Sequence, residues 1–254
     1  MSALLSAGLQ NNIRFETNYL HHSRTLQIIN KARFRALGSE GCRAFVTHAA
    51  RVGDEYRLSR IGSVAYVIYL MHWLGSYFYA DPRYADLHAA LQSHETETDR
   101  IEAARDRFMA IAARHIGEHG EILMDRLARI EDLDPLIVDG HSEIATLHDR
   151  LRDVFGPMDP DTPSARGFIE AQAGVMAQNL GVQTPLGQRT CLMLTFILGI
   201  RADLDPLFPW ICDTVEAAKK KNAPPDAALF AYGKKRLGAV LRQAGNKKGD
   251  PNDV

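Results

Sequence analysis

Residues 71–87 read MHWLGSYFYADPRYADL, and residues 195–211 read TFILGIRADLDPLFPWI. In both stretches an apolar segment ends in Leu-Gly, five residues follow, and Asp-Pro precedes a new amphipathic segment. Gly75 and Gly199 lie 124 residues apart, and the two Asp-Pro pairs keep the same spacing. This spacing predicts an internally duplicated unit of several helices, because it exceeds one repeat of a typical solenoid.

Helix capping explains each fixed residue of this pattern. A glycine after the last apolar residue supplies the left-handed position that ends a helix. Asp accepts hydrogen bonds from the first N–H groups of the next helix, and proline fits its first turn. The pattern therefore predicts a helix-loop-helix corner that the chain uses twice. Upstream, Val52-Gly53 and Leu180-Gly181 form a candidate second matched pair, with a shorter spacing in the second copy.

The hydrophobic periodicity predicts an all-α fold. Apolar residues recur at helical spacing through most of the chain, and no segment shows sustained period-two alternation between hairpin turns. We predict helices over about residues 15–36, 41–52, 58–74, 82–91, from 97 onward, 121–130, 142–154, 165–180, 185–198, 206–219 and 225–244.

A loop rich in proline divides the chain into two predicted halves. Residues 155–163 (FGPMDPDTP) contain three prolines and a glycine, which is typical of a joint. We therefore expect a first helical half over residues 1–154 and a second over 164–245. The polar residues 246–254 are expected to form a disordered tail.

The composition excludes several classes of protein. The chain has 254 residues, with 30 basic against 31 acidic side chains and 46% apolar residues, so it is neither a polycation nor an acidic tail. Three widely spaced cysteines predict neither a disulfide framework nor a zinc knuckle. Met1–Gln10 lacks the basic start of a signal peptide, so we expect a cytoplasmic protein.

An uncharged stretch, Ile61–Ala80, is long enough to be weighed as a membrane span. It contains two glycines, a histidine and four tyrosines, and is more polar than a typical span. Its counterpart in the second copy, Thr190–Ile200, lies between arginines and is too short to cross a bilayer. We therefore predict no membrane span and two buried core helices.

His115, Glu118 and His119 match the H-x-x-E-H pattern of inverted zinc peptidases. If the segment is helical, both histidines lie on one face and can reach a zinc ion, with Glu118 beside them to activate water. No third ligand is identifiable, and two glycines loosen the segment. The competing interpretation of His115 is a partly buried core histidine. A zinc-dependent hydrolase is therefore the alternative function.

Other patterns of catalytic or cofactor-binding residues are weak. His141 and His148 share a predicted helical face, but the charges around them favour a solvated surface helix. The sequence holds no glycine-rich phosphate loop and no G-x-S-x-G elbow. We therefore predict no bound cofactor and favour a protein that is not an enzyme.

The charge is concentrated near the C-terminus. Residues 217–249 contain nine basic side chains and one acidic side chain, whereas the rest of the chain carries a net charge of −9. Such a segment can contact an acidic partner, phosphates or a membrane surface, or can be an ordinary solvated helix face. Few aromatic residues are interleaved, which does not favour a nucleic-acid platform. We predict that Lys234, Lys235 and Arg236, with the groove between the halves, form a protein-binding surface.

The second corner also resembles a group of known proteins. An apolar helix ending at Leu198-Gly199, followed by Asp205-Pro206 and Pro209-Trp210, resembles uncharacterised helical proteins encoded beside type VI secretion spike and effector genes in proteobacteria. The resemblance covers the two corners and the helices that flank them. This chain departs in carrying the unit twice, with Arg83-Tyr84-Ala85 in place of the Trp segment in the first copy. The resemblance implies a cytoplasmic accessory protein, an adaptor, chaperone or immunity protein, that binds an effector or spike component.

Overall fold

The computed structural model describes residues 18–93, 95–118, 121–138, 144–156 and 162–245. Helix α1 covers residues 18–29, and it is followed by α2 (Lys31–Glu55), α3 (Ile61–Leu74), α4 (Ala85–Gln92), α5 (Glu97–His115) and α6 (Glu121–Ala128). The chain continues with α7 (Asp134–Val138), α8 (Ile144–Phe155), α9 (Pro163–Leu180), α10 (Pro185–Leu198), α11 (Trp210–Lys220) and α12 (Pro225–Gly245). No strand occurs in these ranges, which confirms the predicted all-α fold.

Side-chain caps set several helix starts. Thr96, Thr162 and Thr184 accept hydrogen bonds from the first turns of α5, α9 and α10, and proline occupies the first turn of α9 and of α10. Asn30 caps α2 in the same way, so the predicted single helix over 15–36 is wrong. Within α2, Gly38 has φ 65° and ψ −173°, which breaks the helix close to the predicted interruption after residue 36.

Helices α3 and α10 form the centre of the core. Six residues of α3 and nine of α10 are buried, which confirms the prediction that both are core helices. In the part of the chain that the structure describes, none of the helices combines the length and the apolar character needed to cross a membrane. Helix α2 packs against α3, and α9 packs against α10. Helix α8, which the sequence-based division places in the first half, packs against α10.

The two corners share one backbone conformation. Gly75 has φ 90° and ψ 152°, and Gly199 has φ 103° and ψ 166°. The positive φ at both glycines agrees with the prediction. The ψ values lie far from the left-handed helical region, so the predicted left-handed helical conformation is wrong. The chain instead leaves each helix in an extended direction that is essentially restricted to glycine. Gly181 does adopt the left-handed conformation, with φ 69° and ψ 34°.

The two Asp-Pro pairs also act alike. Asp81 Oδ1 accepts the N–H of Arg83 at 3.0 Å, and Asp205 Oδ1 accepts the N–H of Leu207 at 2.8 Å. In the second corner the helix begins later than predicted, at Trp210, because a turn separates it from Pro206.

Element bounds repeat at the spacing of the corners. Helix α3 spans residues 61–74 and α10 spans 185–198, which is a shift of 124 residues at both ends. Buried positions repeat with the same shift in α2 and α9 and beyond, as in the pairs Phe45 and Ile169, Ala49 and Ala173, Val52 and Met176, Leu58 and Val182, Leu87 and Ile211, and Leu91 and Val215. This correspondence supports the interpretation of the chain as a duplicated unit.

Gly53 and Gly181, the candidate second pair of glycines, do not occupy equivalent positions in the structure. Gly53 lies inside α2 and packs against Val64, whereas Gly181 follows the end of α9. The residue that corresponds to Gly181 is Arg57, which also has a positive φ of 53° and lies 124 residues earlier. The sequence comparison missed it because arginine is not the residue that this conformation favours.

The corners face each other at the centre of the molecule. A Cβ atom added to Gly75 would lie 2.6 Å from the Leu198 carbonyl oxygen, and one added to Gly199 would lie 3.0 Å from the Leu74 carbonyl oxygen. Asp205 links the corners, because it accepts the Ser76 N–H at 2.7 Å and the Ser76 hydroxyl at 2.5 Å. The two corners therefore meet through backbone contacts and buried hydrogen bonds.

Candidate functional site

An open groove of about 580 Å³ lies between α11 and α12. Five alanines, here called its floor, are part of its lining, and Trp210 and Tyr232 lie together in that lining with ring centroids 5.8 Å apart. Three basic side chains and one acidic side chain complete the charged part of the lining: Lys221, Lys235, Arg236 and Asp213. The groove is therefore apolar along its floor and carries a net positive charge.

The structure separates the three cations that the sequence predicts as a binding surface. Lys235 and Arg236 are exposed and line the groove. The guanidinium of Arg236 lies over the Tyr232 ring, 5.1 Å from its centroid. Lys234 instead forms an ion pair with Asp134 and lies over the Phe230 ring. Its position indicates a role in holding α7 against α12.

Other cations of the basic segment divide in the same way. Lys219 donates to the Leu180 carbonyl oxygen at 2.9 Å, so it closes the end of α9. Lys221 lies at the groove, although the sequence analysis did not single it out. Lys247 and Lys248 lie outside the described residues. A charge count alone could not distinguish a capping lysine from one that lines a groove.

Alanine spacing was the signal that could have located the floor. Ala217 and Ala218 of α11 face Ala228 and Ala231 of α12 across the groove. Small residues three or four positions apart share one face of a helix, as Thr214 does with Ala217 and Ala218 in α11 and as Ala228 does with Ala231 in α12. Two such helices in sequence, joined by a short turn, predict a shallow trough between them.

The predicted zinc motif has a different local structure from the one assumed. Helix α5 ends at His115, and Gly117 has φ 84°, so a continuous helix through residues 115–118 is wrong. His119 lies outside the described residues. The described residues contain no group of three or more His, Cys, Asp or Glu side chains that could hold a metal ion.

His115 is engaged by its neighbours. Arg126 Nη1 donates to its Nδ1 at 3.0 Å, and the ring also bonds to the backbone of Phe155. Burial, together with the charges of Arg126 and Arg114, lowers the pKa of His115, so the ring is neutral. A cation beside the ring disfavours a second cation at the same place. These contacts favour the interpretation of His115 as a partly buried core histidine.

His148 was expected on a solvated helix face, and that expectation is wrong. The side chain is fully buried, with Nδ1 3.1 Å from Glu170 Oε1 and its ring against Phe196. The carboxylate of Glu170, on the neighbouring helix α9, therefore lies next to the buried histidine ring. His141 lies outside the described residues.

Comparison of the chain with protein-family models, curated proteins and solved structures gives no match.

Proposed function

We propose that the chain is a protein-binding accessory factor, without catalytic activity, whose partner surface is the groove between α11 and α12. The observation that carries this proposal is the groove itself, which has an alanine floor, an aromatic pair, and the cations Lys221, Lys235 and Arg236 around it. Exposed apolar surface with a charged border is typical of a protein-interaction site.

The walls of the groove restrict how a partner binds. Both walls are regular α-helices, whose backbone N–H and C=O groups are largely paired within each helix. A partner strand therefore finds no sheet edge to extend, and recognition must use side chains. The alanine floor lets a helix approach closely, and the cations complement acidic side chains on it. The partner segment is an acidic amphipathic helix.

The resemblance of the second corner to proteins encoded beside type VI secretion genes suggests which partner to test first. It makes a secretion effector or a spike component the first choice. The groove chemistry adds that the binding segment of that protein carries acidic and apolar side chains at helical spacing.

The test is affinity purification of the tagged chain from its own cells, with mass spectrometry of the proteins that co-elute. Three variants are compared with the wild type. Lys235→Glu with Arg236→Glu reverses the groove charge, and Ala217→Trp fills the floor without changing charge. Arg105→Glu with Arg107→Glu makes the same charge change on the exposed face of α5.

The proposal expects one stoichiometric partner that both groove variants lose and the α5 variant retains. Loss with the charge reversal should be at least about tenfold in affinity, since close charge pairs at an interface contribute 1.4 kcal/mol or more. Lys234→Glu is expected to lower stability more than binding, because Lys234 pairs with Asp134 inside the protein. A partner that both groove variants retain would mean that the partner does not bind in the groove.

A further inference from the structure

A second cavity, of about 130 Å³, lies between the two halves and apart from the α11–α12 groove. Its walls are largely apolar and come from helices of both halves. Trp73 and Ile111 contribute from the first half, while Phe155, Phe196 and Ile197 contribute from α8 and α10. Small molecules commonly bind in a cavity lined by large apolar side chains with a few polar groups, and the small volume of this one restricts it to a small ligand.

Two arginines line this cavity, and they differ in how their charge is balanced. Arg83 pairs with the Asp81 carboxylate at 2.6 Å and donates to the Phe196 carbonyl oxygen at 2.7 Å. Among the described residues, Arg126 donates to His115 Nδ1 and to the carbonyl oxygens of Arg114 and His115. Within the described residues no carboxylate lies within ion-pair distance of Arg126.

Arg126, which lines this cavity, has an N–H group that bonds to no residue the structure describes. A guanidinium has five N–H groups, and the contacts of Arg126 in the described part of the chain use Nη1 and Nη2 but not Nε. Burial lowers the pKa of Arg126, and Asp125 only partly offsets that effect. A half-buried cation without a counter-ion costs free energy that an anionic ligand would recover.

Tyr84 adds a second donor. It lines the same cavity, and its hydroxyl makes no hydrogen bond to any residue that the structure describes. Burial raises the pKa of Tyr84, so the hydroxyl keeps its proton. His115 receives a hydrogen bond from Arg126 at Nδ1, so its remaining proton lies on Nε2, toward the protein backbone. The unpaired polar groups of the cavity are therefore donors.

We propose that this cavity binds a small monocarboxylic acid with an apolar body, whose carboxylate accepts from Arg126 and Tyr84. The volume sets the size of the apolar part. An apolar cavity of about 150 Å³ binds benzene, so a cavity of about 130 Å³ suits a branched chain or a single small ring. A longer chain or a peptide segment does not fit inside it.

The test measures binding of benzoate and isovalerate to the full chain by ligand-observed NMR or calorimetry. Benzamide serves as the matched neutral ligand, because it keeps the ring and replaces the carboxylate by an amide. Benzoate should bind at least about tenfold more tightly than benzamide, since a charge-assisted hydrogen bond contributes about 1.5–3 kcal/mol. Arg126→Gln should bring that ratio close to one.

Tyr84→Phe is a second variant of the cavity, and it tests the proposal even if Arg126→Gln fails to fold. It removes only a hydroxyl that holds no partner in the described residues, so melting should stay near that of the wild type. Benzoate affinity should fall several-fold, while benzamide affinity changes less. Arg105→Gln, on the exposed face of α5, is the charge control and should leave both affinities unchanged.

Three results would overturn the proposal. One is equal affinity for benzoate and benzamide in the wild type. Another is benzoate binding that neither Arg126→Gln nor Tyr84→Phe changes. The last is that neither acid binds with a Kd below about 10 mM, which would mean an apolar cavity whose donors recognise no carboxylate.

Discussion

The corner at Gly75 and the corner at Gly199 use the same backbone and different counter-ions. In the first corner, Asp81 pairs with Arg83, which also lies near the Tyr84 ring and donates to the carbonyl of Phe196. In the second corner, leucine stands where the first has Arg83. There the charge that acts on Asp205 is that of Arg33, from helix α2.

Arg33 reproduces two contacts of Arg83, one with an aromatic ring and one with a carbonyl oxygen, from a different part of the chain. It lies over the Phe208 ring, 5.3 Å from its centroid, and donates to the carbonyl oxygen of His72 at 3.1 Å. Phe208 corresponds to Tyr84, and His72 corresponds to Phe196, at the spacing of 124 residues. The position of a buried guanidinium therefore persists between the two corners while the residue that supplies it changes.

The contact between the corners should be the most sensitive part of this arrangement. Gly75→Ala should destabilise the protein by about 3–5 kcal/mol, since the added carbon meets a carbonyl oxygen at 2.6 Å and φ is positive. Gly199→Ala should cost less, because its nearest contact is 3.0 Å. Urea unfolding measures both.

Gly174→Ala is the control for these two variants. Gly174 lies inside α9 with open space around it, so alanine there should stabilise the helix by about 0.5–1 kcal/mol. Unfolding midpoints of the two corner variants at or above that of the wild type would mean that the corners do not meet as described.

The counter-ion of the first corner can be tested by removing one or both partners. Asp81→Ala should cost about 3–5 kcal/mol, because it leaves the Arg83 guanidinium buried beside carbonyl groups alone. Adding Arg83→Leu, which copies the residue of the second corner, should recover a large part of that loss. Chemical denaturation of the single and double variants gives the coupling. Without recovery, the cost of Asp81→Ala does not arise from the charge of Arg83.

The link between the corners should contribute less than either glycine. Ser76→Ala removes the hydroxyl that donates to Asp205 and should cost about 1.5–3 kcal/mol, the range for a hydrogen bond to a charged group. Thr47→Ala, at an exposed position of α2, should change stability by less than about 0.5 kcal/mol. Equal effects of the two substitutions would show that Asp205 does not depend on the Ser76 hydroxyl.

His72, which lies at the end of α3 and contacts Arg33, should give an effect that depends on pH. Burial and the charge of Arg33 lower the pKa of His72 from its ordinary 6.5 to about 3. The unfolded chain therefore takes up a proton as the pH falls below 6.5, while the folded ring stays neutral. The free energy of unfolding is therefore unaffected by this group above pH 6.5. Between pH 6.5 and pH 3 it falls by at most about 1.4 kcal/mol per pH unit because of this group.

Replacing His72 isolates its share of the pH dependence. His72→Gln keeps a side-chain acceptor for Arg33 and removes the titrating ring. Its unfolding free energy, measured between pH 7 and pH 5, should fall less steeply than that of the wild type. Identical slopes would assign the acid sensitivity to the other histidines whose pKa is lowered, which are His22, His48, His88 and His115.

Local signals in the sequence predicted the helices. The side-chain pairs depend on contacts between distant residues, which those signals do not contain. Leu-Gly and Asp-Pro located both corners, because capping depends on residues a few positions apart. No local pattern shows that the charge of Arg33 acts on the Asp205 carboxyl group. Nor does any show that Lys234 pairs with Asp134, which lies 100 residues earlier. His148 was misplaced for the same reason, since its partner Glu170 belongs to another helix.

The candidate sites were predictable to different degrees. The excess of positive charge pointed to α12, and two of its three selected cations do line the groove. The second cavity could not be predicted from the sequence, because its lining comes from segments scattered between Trp73 and Ile197. Arg126 was not singled out, since an arginine on an amphipathic helix is ordinary until its surroundings are known.

The contact between Gly75 and Gly199 also bears on how the chain folds during its synthesis. The first corner cannot reach its partner until the ribosome has added 124 further residues. At about 5–20 residues per second, that takes roughly 6–25 s. Throughout this interval the apolar end of α3 lacks the surface that will cover it. During this interval the nascent chain exposes an apolar segment of the kind that chaperones can bind.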